Sequence, residues 1–477
     1  MQNQLSKNLL EKNDQPKWVN NAVVYQIFPD RFKKSYKKKE LNYLDFKPWG
    51  TDPLEQGFQG GNLYGVVESL DYLRDFGINC IYFTPIFSSA SNHRYHTYDY
   101  FQVDPLLGGN NAFDILLNAA HQRDIKIILD GVFNHCGRGF WAFHHVLENM
   151  ERSPYKDWFT IHKWPLDPYP KEVSECGYSC WWNNPALPKF NHKNKLVCDY
   201  LLSVARFWLK KGIDGWRLDV PSEVPFDFWE KFRSTVKEVN PDAWIVGEIW
   251  GDARKWLSPK FFDGVMNYRI GWSTLSWIGI ENLNKDYSTK SYQIKHINTK
   301  EYIEILHTTQ NWYTQSTNRK NLNLLDSHDV PRALYTLKND IFALKLALFI
   351  LFLQPGPPCI YYGTECGLIG GKEPNCREPF PWKEDWKYDL RTFIFSLVLA
   401  RREIYEIIKD GIHWKAIEND GLIGIPIKSK DSIKILINRS RTNWLKISDN
   451  NIKIISCCRT IDNDNKRLSP QSAIIYI

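Results

Sequence analysis

Three acidic residues stand at the ends of three separate apolar runs: Asp219 in GIDGWRLDV, Glu248 in AWIVGEIW and Asp329 in LNLLDSHDV. A buried carboxylate is costly unless it is paired or put to use, so three at strand ends point to one reaction centre assembled from distant parts of the chain. In GIDGWRLDV the two-residue period of a β-strand puts Arg217 and Asp219 on one face, where the guanidinium would hold the carboxylate ionised and fix its rotamer. That makes Asp219 a nucleophile candidate. Glu248 has Trp250 two positions on, again on one face, and an aromatic wall of that kind tends to raise a carboxyl pKa. A carboxyl kept protonated near neutral pH can serve as a general acid. Each acid alone has a plainer reading: Asp219 as a salt bridge to Arg217, Glu248 as a rim charge, Asp329 as the N-cap of a helix starting near Val330.

The elements that would position these groups alternate between strand-like and helix-like periodicity, the pattern of a parallel sheet with crossover helices. AVVYQIF, NCIYFTPIF, IKIILDGVF, IDGWRLDV, WIVGEIW, FFDGVMNY, LNLLDSH and CIYYG read as eight strands in order. Between them ESLDYLRDFG, FDILLNAAHQRD, LVCDYLLSVARFWLKKG and FWEKFRSTVKEV have helical spacing, and several end in Gly as a C-cap would. Eight strands close a (β/α)8 TIM barrel. Past about residue 405 the chain changes to short alternating runs, GLIGIPIKS, SIKILINRS, WLKISD, IKIISCC and SAIIYI, which predict a small antiparallel β domain.

GWRLDV, GEIW and LLDSHD, with DGVFNH ending at His135, resemble the four conserved segments of the alpha-amylase superfamily, glycoside hydrolase family 13. The likeness continues through YQIFPDRF, GINCIYFTPIF, SNHRYHTYDYFQVDP, LPKFNHKN and GPPCIYYGTE. LPKFN, and FTPIF followed by SNHRY, look like the neopullulanase, cyclomaltodextrinase and oligo-1,6-glucosidase side of that family. The resemblance implies a retaining hydrolase of α-glucosidic, mainly α-1,4, bonds in starch, glycogen or maltodextrins. Asp219 would attack the anomeric carbon, Glu248 would act as acid and then as base, and Asp329 would bind the C2 and C3 hydroxyls and distort the ring. It also implies sugar binding by His135 and His328 and by Tyr98 as the stacking ring with His96 beside it, with Arg217 and Trp250 at the same centre. The alternative is a 4-α-glucanotransferase, in which a sugar intercepts the Asp219 intermediate before water does. Ser222 stands where neopullulanase-like enzymes commonly have Asn and Gly251 where His is frequent, while Glu223 and Trp250 are retained, which leaves the leaving-group side open.

By the same resemblance the chain divides into an extension at 1–17, a barrel at 18–137 and 191–405, a B-domain-like insertion at 138–190 and the β domain at 406–477. Trp141, Phe143, Trp158, Trp164, Trp181 and Trp182 of the insertion would suit sugar-stacking walls, with some of them packing the insertion itself. No β domain precedes the barrel, unlike many neopullulanases, so a monomer or weak homodimer is expected. After FPDRF the family often has an Asp- and Asn-rich calcium loop; here the text is KKSYKKKE, whose lysines would repel a cation. A second family calcium site, near Asn134, is left open; no other metal or cofactor is expected.

Composition fits one barrel with a small appendage: 477 residues, where a barrel absorbs roughly 250 to 400. The net charge of +7 comes from 61 basic and 54 acidic residues dispersed along the chain, which gives no nucleic-acid surface. Lys33, Lys34, Lys37, Lys38 and Lys39 are the local exception and read as a solvated loop. MQNQLSKNLLEKNDQPKW lacks the apolar core of a signal peptide, and FALKLALFILFL is short enough to be a buried barrel helix rather than a membrane span. Ten cysteines without framework spacing fit a reducing, cytoplasmic setting; Cys176 and Cys180 bracket a turn without two further ligands for zinc.

Overall fold

Every apolar run expected to be a barrel strand forms one. The computed structural model describes residues 15–37, 41, 44–257, 259–382, 386, 388–428, 433–449, 452–462, 464 and 466–477; Lys38, Lys39 and most of the N-terminal extension lie outside them. The strands are β1 (Val24–Ile27), β2 (Cys80–Phe83), β3 (Lys126–Gly131), β4 (Gly215–Leu218), β5 (Trp244–Gly247), β6 (Gly264–Asn267), β7 (Leu322–Leu324) and β8 (Pro358–Tyr361). They pair in parallel in sequence order, and β8 closes on β1. Both strand faces are covered, so the runs read as nearly continuous apolar text rather than alternation. Gly215 permits the close approach of β4 to β5: a Cβ there would lie 2.2 Å from the Trp244 carbonyl oxygen.

Register delivers the acids to one rim. Asp130 pairs with Arg217 across β3 and β4, Arg217 with Val246 across β4 and β5, and Leu218 with Gly247. One step further, the Asp219 N–H donates to the Gly131 carbonyl (3.1 Å) and the Glu248 N–H to the Leu218 carbonyl (3.0 Å). Both acids therefore leave the ladder at the same level, at the C-terminal end of the barrel where barrel enzymes place their chemistry.

The crossover helices follow the 3.6-residue pattern. Lys195–Lys211 buries Val197, Leu201, Val204, Ala205 and Trp208 on one face and ends at Gly212 with φ 112°, a left-handed cap that glycine adopts without strain. Ile341–Phe352 is apolar all round because it is covered on two sides, by the barrel and by the C-terminal sheet, and Asp340 caps its N-terminus. Among the described residues no helix is long and apolar enough to cross a membrane.

The last barrel helix, Arg391–Ile408, runs past the boundary expected at 405. Its Arg401 is buried and donates to the carbonyls of Phe352, Gln354, Pro355 and Gly356, satisfying the C-terminus of Ile341–Phe352 and the turn after it. Arg401→Met would strand those carbonyls, and we expect a loss of about 3 to 5 kcal/mol in chemical denaturation. Beyond it lies an antiparallel sheet of β9 (Ile412–Ala416), β10 (Leu422–Pro426), β11 (Lys434–Asn438), β12 (Ile454–Cys458) and β13 (Ser472–Tyr476), in the order β9-β10-β11-β13-β12. The sequence reading missed β9, whose text IHWKA hides its inward Ile412 and Trp414 among polar neighbours.

In the lysine-rich loop Lys37 is exposed, whereas Lys33 and Lys34 pack against aromatic rings. Lys33 Nζ lies 4.6 Å from the Trp382 ring centroid and Lys34 Nζ 5.0 Å from that of Phe46.

Candidate active site

Arg217 organises the centre. Its Nη1 donates to both oxygens of Asp130 (2.9 Å each) and to Asp219 Oδ1 (3.0 Å), and its Nε lies 3.3 Å from Met266 Sδ. Nη2 sits 2.9 Å from Glu248 Oε2, an ion pair without hydrogen-bond alignment, and 3.9 Å from Asp329 Oδ2. One fully buried guanidinium thus faces four carboxylates from β3, β4, β5 and the loop after β7.

That ratio changes the electrostatics expected from sequence, which counted only the cation beside Asp219. Burial pushes the Asp219 carboxyl well above its ordinary value; Glu248, Asp130 and Asp329 push the same way, against Arg217. Asp329 is likewise raised, by burial and then by Glu248, with Arg217 and Arg377 opposing. Four carboxylates around one guanidinium leave an excess of negative charge, which suits a transition state that develops positive charge between them.

Glu248 accepts the Trp250 indole N–H at Oε1 (3.0 Å) and the Val220 N–H at Oε2 (3.2 Å). The aromatic wall expected of Trp250 is therefore an edge: the ring face stacks on Tyr268 at 4.5 Å. Val220, next to Asp219, has φ 35°, a strained value for a β-branched residue. Asp219 Oδ2 is buried with no partner.

Asp329 does not cap a helix: the next helix is Ala333–Thr336, whose first N–H goes to Asp326 Oδ2 at 2.7 Å. Instead Asp329 faces His328 Nε2 (3.2 Å) and Arg377 Nη2 (3.7 Å). Gln26 from β1 contacts His328 Nδ1 (2.7 Å), and donation by its amide leaves the imidazole proton on Nε2, which points at Tyr95 Oη (2.5 Å). Tyr95 in turn donates to Asp130 Oδ2 (3.0 Å). Burial holds His328 far below its ordinary pKa and lowers His135 to about 3, so both are neutral donors. The Asn134 amide contacts His135 Nδ1 (3.1 Å), and donation there places the ring proton on Nε2, a buried atom with no protein partner.

Tyr98, expected as the stacking ring, lies over Gly137 and Gly139, where added Cβ atoms would come within 2.9 and 2.6 Å of its ring. Tyr95 lies at the centre, its ring parallel to that of His328 with centroids 5.6 Å apart and an interplanar angle of 4°, joined edge to edge by the Oη contact. Arg94, with φ 60°, turns the chain just before Thr97–Val103 starts, so strand periodicity counted from Tyr98 does not reach back to Tyr95. His96 packs edge-on to His93 (5.0 Å) and is held down to about 4 by burial and by Arg138.

The model for the alpha-amylase catalytic domain matches residues 26–418. The chain belongs to this family. It is 37% identical over 430 residues to a cyclomaltodextrinase of Geobacillus thermopakistaniensis, covering 89% of this chain and 70% of that protein. It is 39% identical over 406 residues to neopullulanase 2 of Thermoactinomyces vulgaris, covering 84% and 66%. A debranching enzyme from Nostoc punctiforme superposes with a TM-score of 0.87 at 40% identity, over 97% of this chain and 99% of that one. The chain thus spans about two thirds of the two curated relatives and nearly all of the Nostoc chain. It is an alpha-amylase-family glycosidase.

Four residues of this alpha-amylase-family centre were missed in the sequence. Asp130 ends β3 in IILDG just as Asp219 ends β4, and the rule that found the other acids would have found it. Tyr82, which donates to Asp130 (2.9 Å), lay in a strand read only as core. Tyr95 was passed over for Tyr98. Arg377 lies in an aperiodic loop and donates to the His328 carbonyl (3.0 Å), with no local signal to mark it.

The insertion divides its aromatics. Trp158 and Phe143 are buried, and Trp141 packs edge-on to Tyr155 and Trp158. Trp181 stacks on His135 (4.9 Å, 10°), and Trp182 beside it is 85% exposed. Near Asn134, the position left open for calcium, the side-chain Oδ1 is buried and unpartnered while its amide nitrogen contacts His135 Nδ1 (3.1 Å). No group of three or more His, Cys, Asp or Glu among the described residues can hold a metal.

Proposed function

We propose that this chain is a retaining glycosidase cleaving mainly α-1,4-glucosidic bonds in maltodextrins, starch or glycogen. Asp219 Oδ2 attacks the anomeric carbon as the glycosidic oxygen takes a proton from Glu248 and leaves; Glu248 then deprotonates the water that releases the sugar from Asp219. Asp329 and the neutral His135 hold the hydroxyls of the distorted ring, and His328, bonded to Gln26 and Tyr95, positions Tyr95 beneath it. The observation that carries this reading is that Asp219 Oδ2 and His135 Nε2 are both buried and unpartnered, an acceptor and a donor left for substrate. Proton NMR of p-nitrophenyl α-maltoside hydrolysis tests it: the first product should be the α-anomer, and a β-anomer would mean inversion.

Exposed Trp182 beside the cleft gives an acceptor sugar a platform, which favours a 4-α-glucanotransferase as the second reading. Products longer than maltotriose, formed from maltotriose, would support it. Ten free cysteines support a cytoplasmic setting.

The two tyrosines separate kinetically. Tyr95→Phe removes a hydroxyl bonded to Asp130 and His328, and kcat/KM should fall by about 10- to 100-fold, the worth of a hydrogen bond to a charged group. Tyr98→Phe should leave kcat/KM within about twofold in the same assay.

A further inference from the structure

A groove of about 430 Å³ opens between the loop after β1 and the loop after β8, walled by Trp49, Asp52, Pro53, Glu378, Pro379 and Pro381. None of these residues contacts the four carboxylates of the reaction centre. We propose that this groove is a second α-glucan-binding site, in which a sugar stacks on Trp49 and donates hydroxyl hydrogen bonds to Asp52 and Glu378.

The lining selects for such a ligand. Trp49 is pinned by donation of its indole N–H to the Phe380 carbonyl (3.1 Å), and among the described residues no aromatic ring stacks on it. A fixed flat ring flanked by prolines presents apolar surface to the C–H face of a pyranose at little entropic cost. Asp52 uses Oδ1 to cap Leu54 N–H (2.9 Å), and its other oxygen remains for a ligand. No ion pair engages Asp52 or Glu378 among the described residues. Burial lifts the Glu378 carboxyl above its ordinary value, and Asp52 adds to this against Arg332. Two facing carboxylates reject an anion and accept from a neutral polyol through charge-assisted bonds.

Position ties the groove to the reaction. Cys376 and Arg377 turn inward, with Sγ 3.3 Å and Nε 3.0 Å from the His328 carbonyl, and Glu378 turns outward into the groove. Groove and centre thus share one strip of backbone, back to back. A sugar in one does not occupy the other, and a polymer held in the groove raises the local concentration of cleavable bonds.

The identity of the sugar rests on the glucan-hydrolase reading, so the test separates the two. Retardation in native gels containing glycogen is measured in a Glu248→Gln background, and p-nitrophenyl α-maltoside kinetics in otherwise wild-type protein. Trp49→Ala and Glu378→Gln should each weaken glycogen retardation by about fivefold, the scale of one stacking or hydrogen-bonding contact. Trp49→Phe should largely retain it, and kcat and KM on the maltoside should stay within twofold throughout. Wild-type retardation in Trp49→Ala overturns the proposal, as does a parallel loss of maltoside turnover. It is also overturned if calcium chloride raises the Tm of wild type but not of Glu378→Gln, which would make the groove a cation site. Glycogen binding that depends on Trp49 in a chain unable to cleave the maltoside would sink the catalytic reading and leave the groove standing.

Discussion

Asp219→Asn is expected to lower kcat by several orders of magnitude while raising the Tm at neutral pH by a few degrees. The activity loss follows from removing the attacking oxygen, and Glu248→Gln should match it by removing the proton donor. The stability gain follows from linkage. Asp219 is raised well above its ordinary carboxyl value by burial and by three neighbouring acids, against Arg217, so as pH falls the folded chain takes up this proton before the unfolded chain does, and the ionised nucleophile is held at a cost in stability. Stability contributed by that proton is full below about pH 3.9, the unfolded value, and is lost as pH rises through the higher folded value. An amide cannot ionise, so the variant escapes the loss, and Arg217 keeps Asp130 and Glu248 as partners. Calorimetry from pH 4 to 8 should show the variant diverging upward from wild type as pH rises. Parallel curves would mean that Asp219 is ionised throughout. A kinetic counterpart is expected in Asp329→Asn: with one negative neighbour gone, the acid limb of the residual kcat/KM profile should move to lower pH.

What the sequence showed and what it hid divide along a physical line. The acids at 219 and 248 and the cation at 217 were legible because strand period and parallel register fix relative height and facing from local text alone. The eight strands were legible for the same reason, since burial on both faces leaves unbroken apolar runs. Tyr95 was hidden because its placement depends on a positive-φ turn at Arg94, which periodicity does not encode. Arg377 was hidden because it reaches Asp329 from a loop with no period at all. The protonation of the centre was hidden for a different reason. It depends on how many acids share Arg217, and that number emerges only when four distant segments meet.

Arg217→Met is expected to abolish activity as thoroughly as Asp219→Asn and to move stability the opposite way. Removing an acid from this cluster relieves repulsion, whereas removing the cation leaves four buried or half-buried carboxylates facing one another. Breaking a buried ion pair by deleting one partner costs about 3 to 5 kcal/mol, and here several pairs share the deleted group. The cost should depend steeply on pH, because Asp130, Asp219 and Asp329 lose the cation that opposes their upward shift. Below about pH 4 the acids are protonated in both states and the variant should approach wild-type Tm; toward pH 8 it should unfold far earlier. Arg217→Lys sharpens the test. An ammonium keeps the charge but cannot reproduce the planar fork whose Nη1 serves Asp130 and Asp219 while Nη2 faces Glu248. Its Tm should recover most of the loss while kcat stays depressed by about a thousandfold or more, because the two acids that flank the scissile bond lose their common template. Full recovery of both quantities in Arg217→Lys would show that charge alone, without geometry, is what this residue supplies.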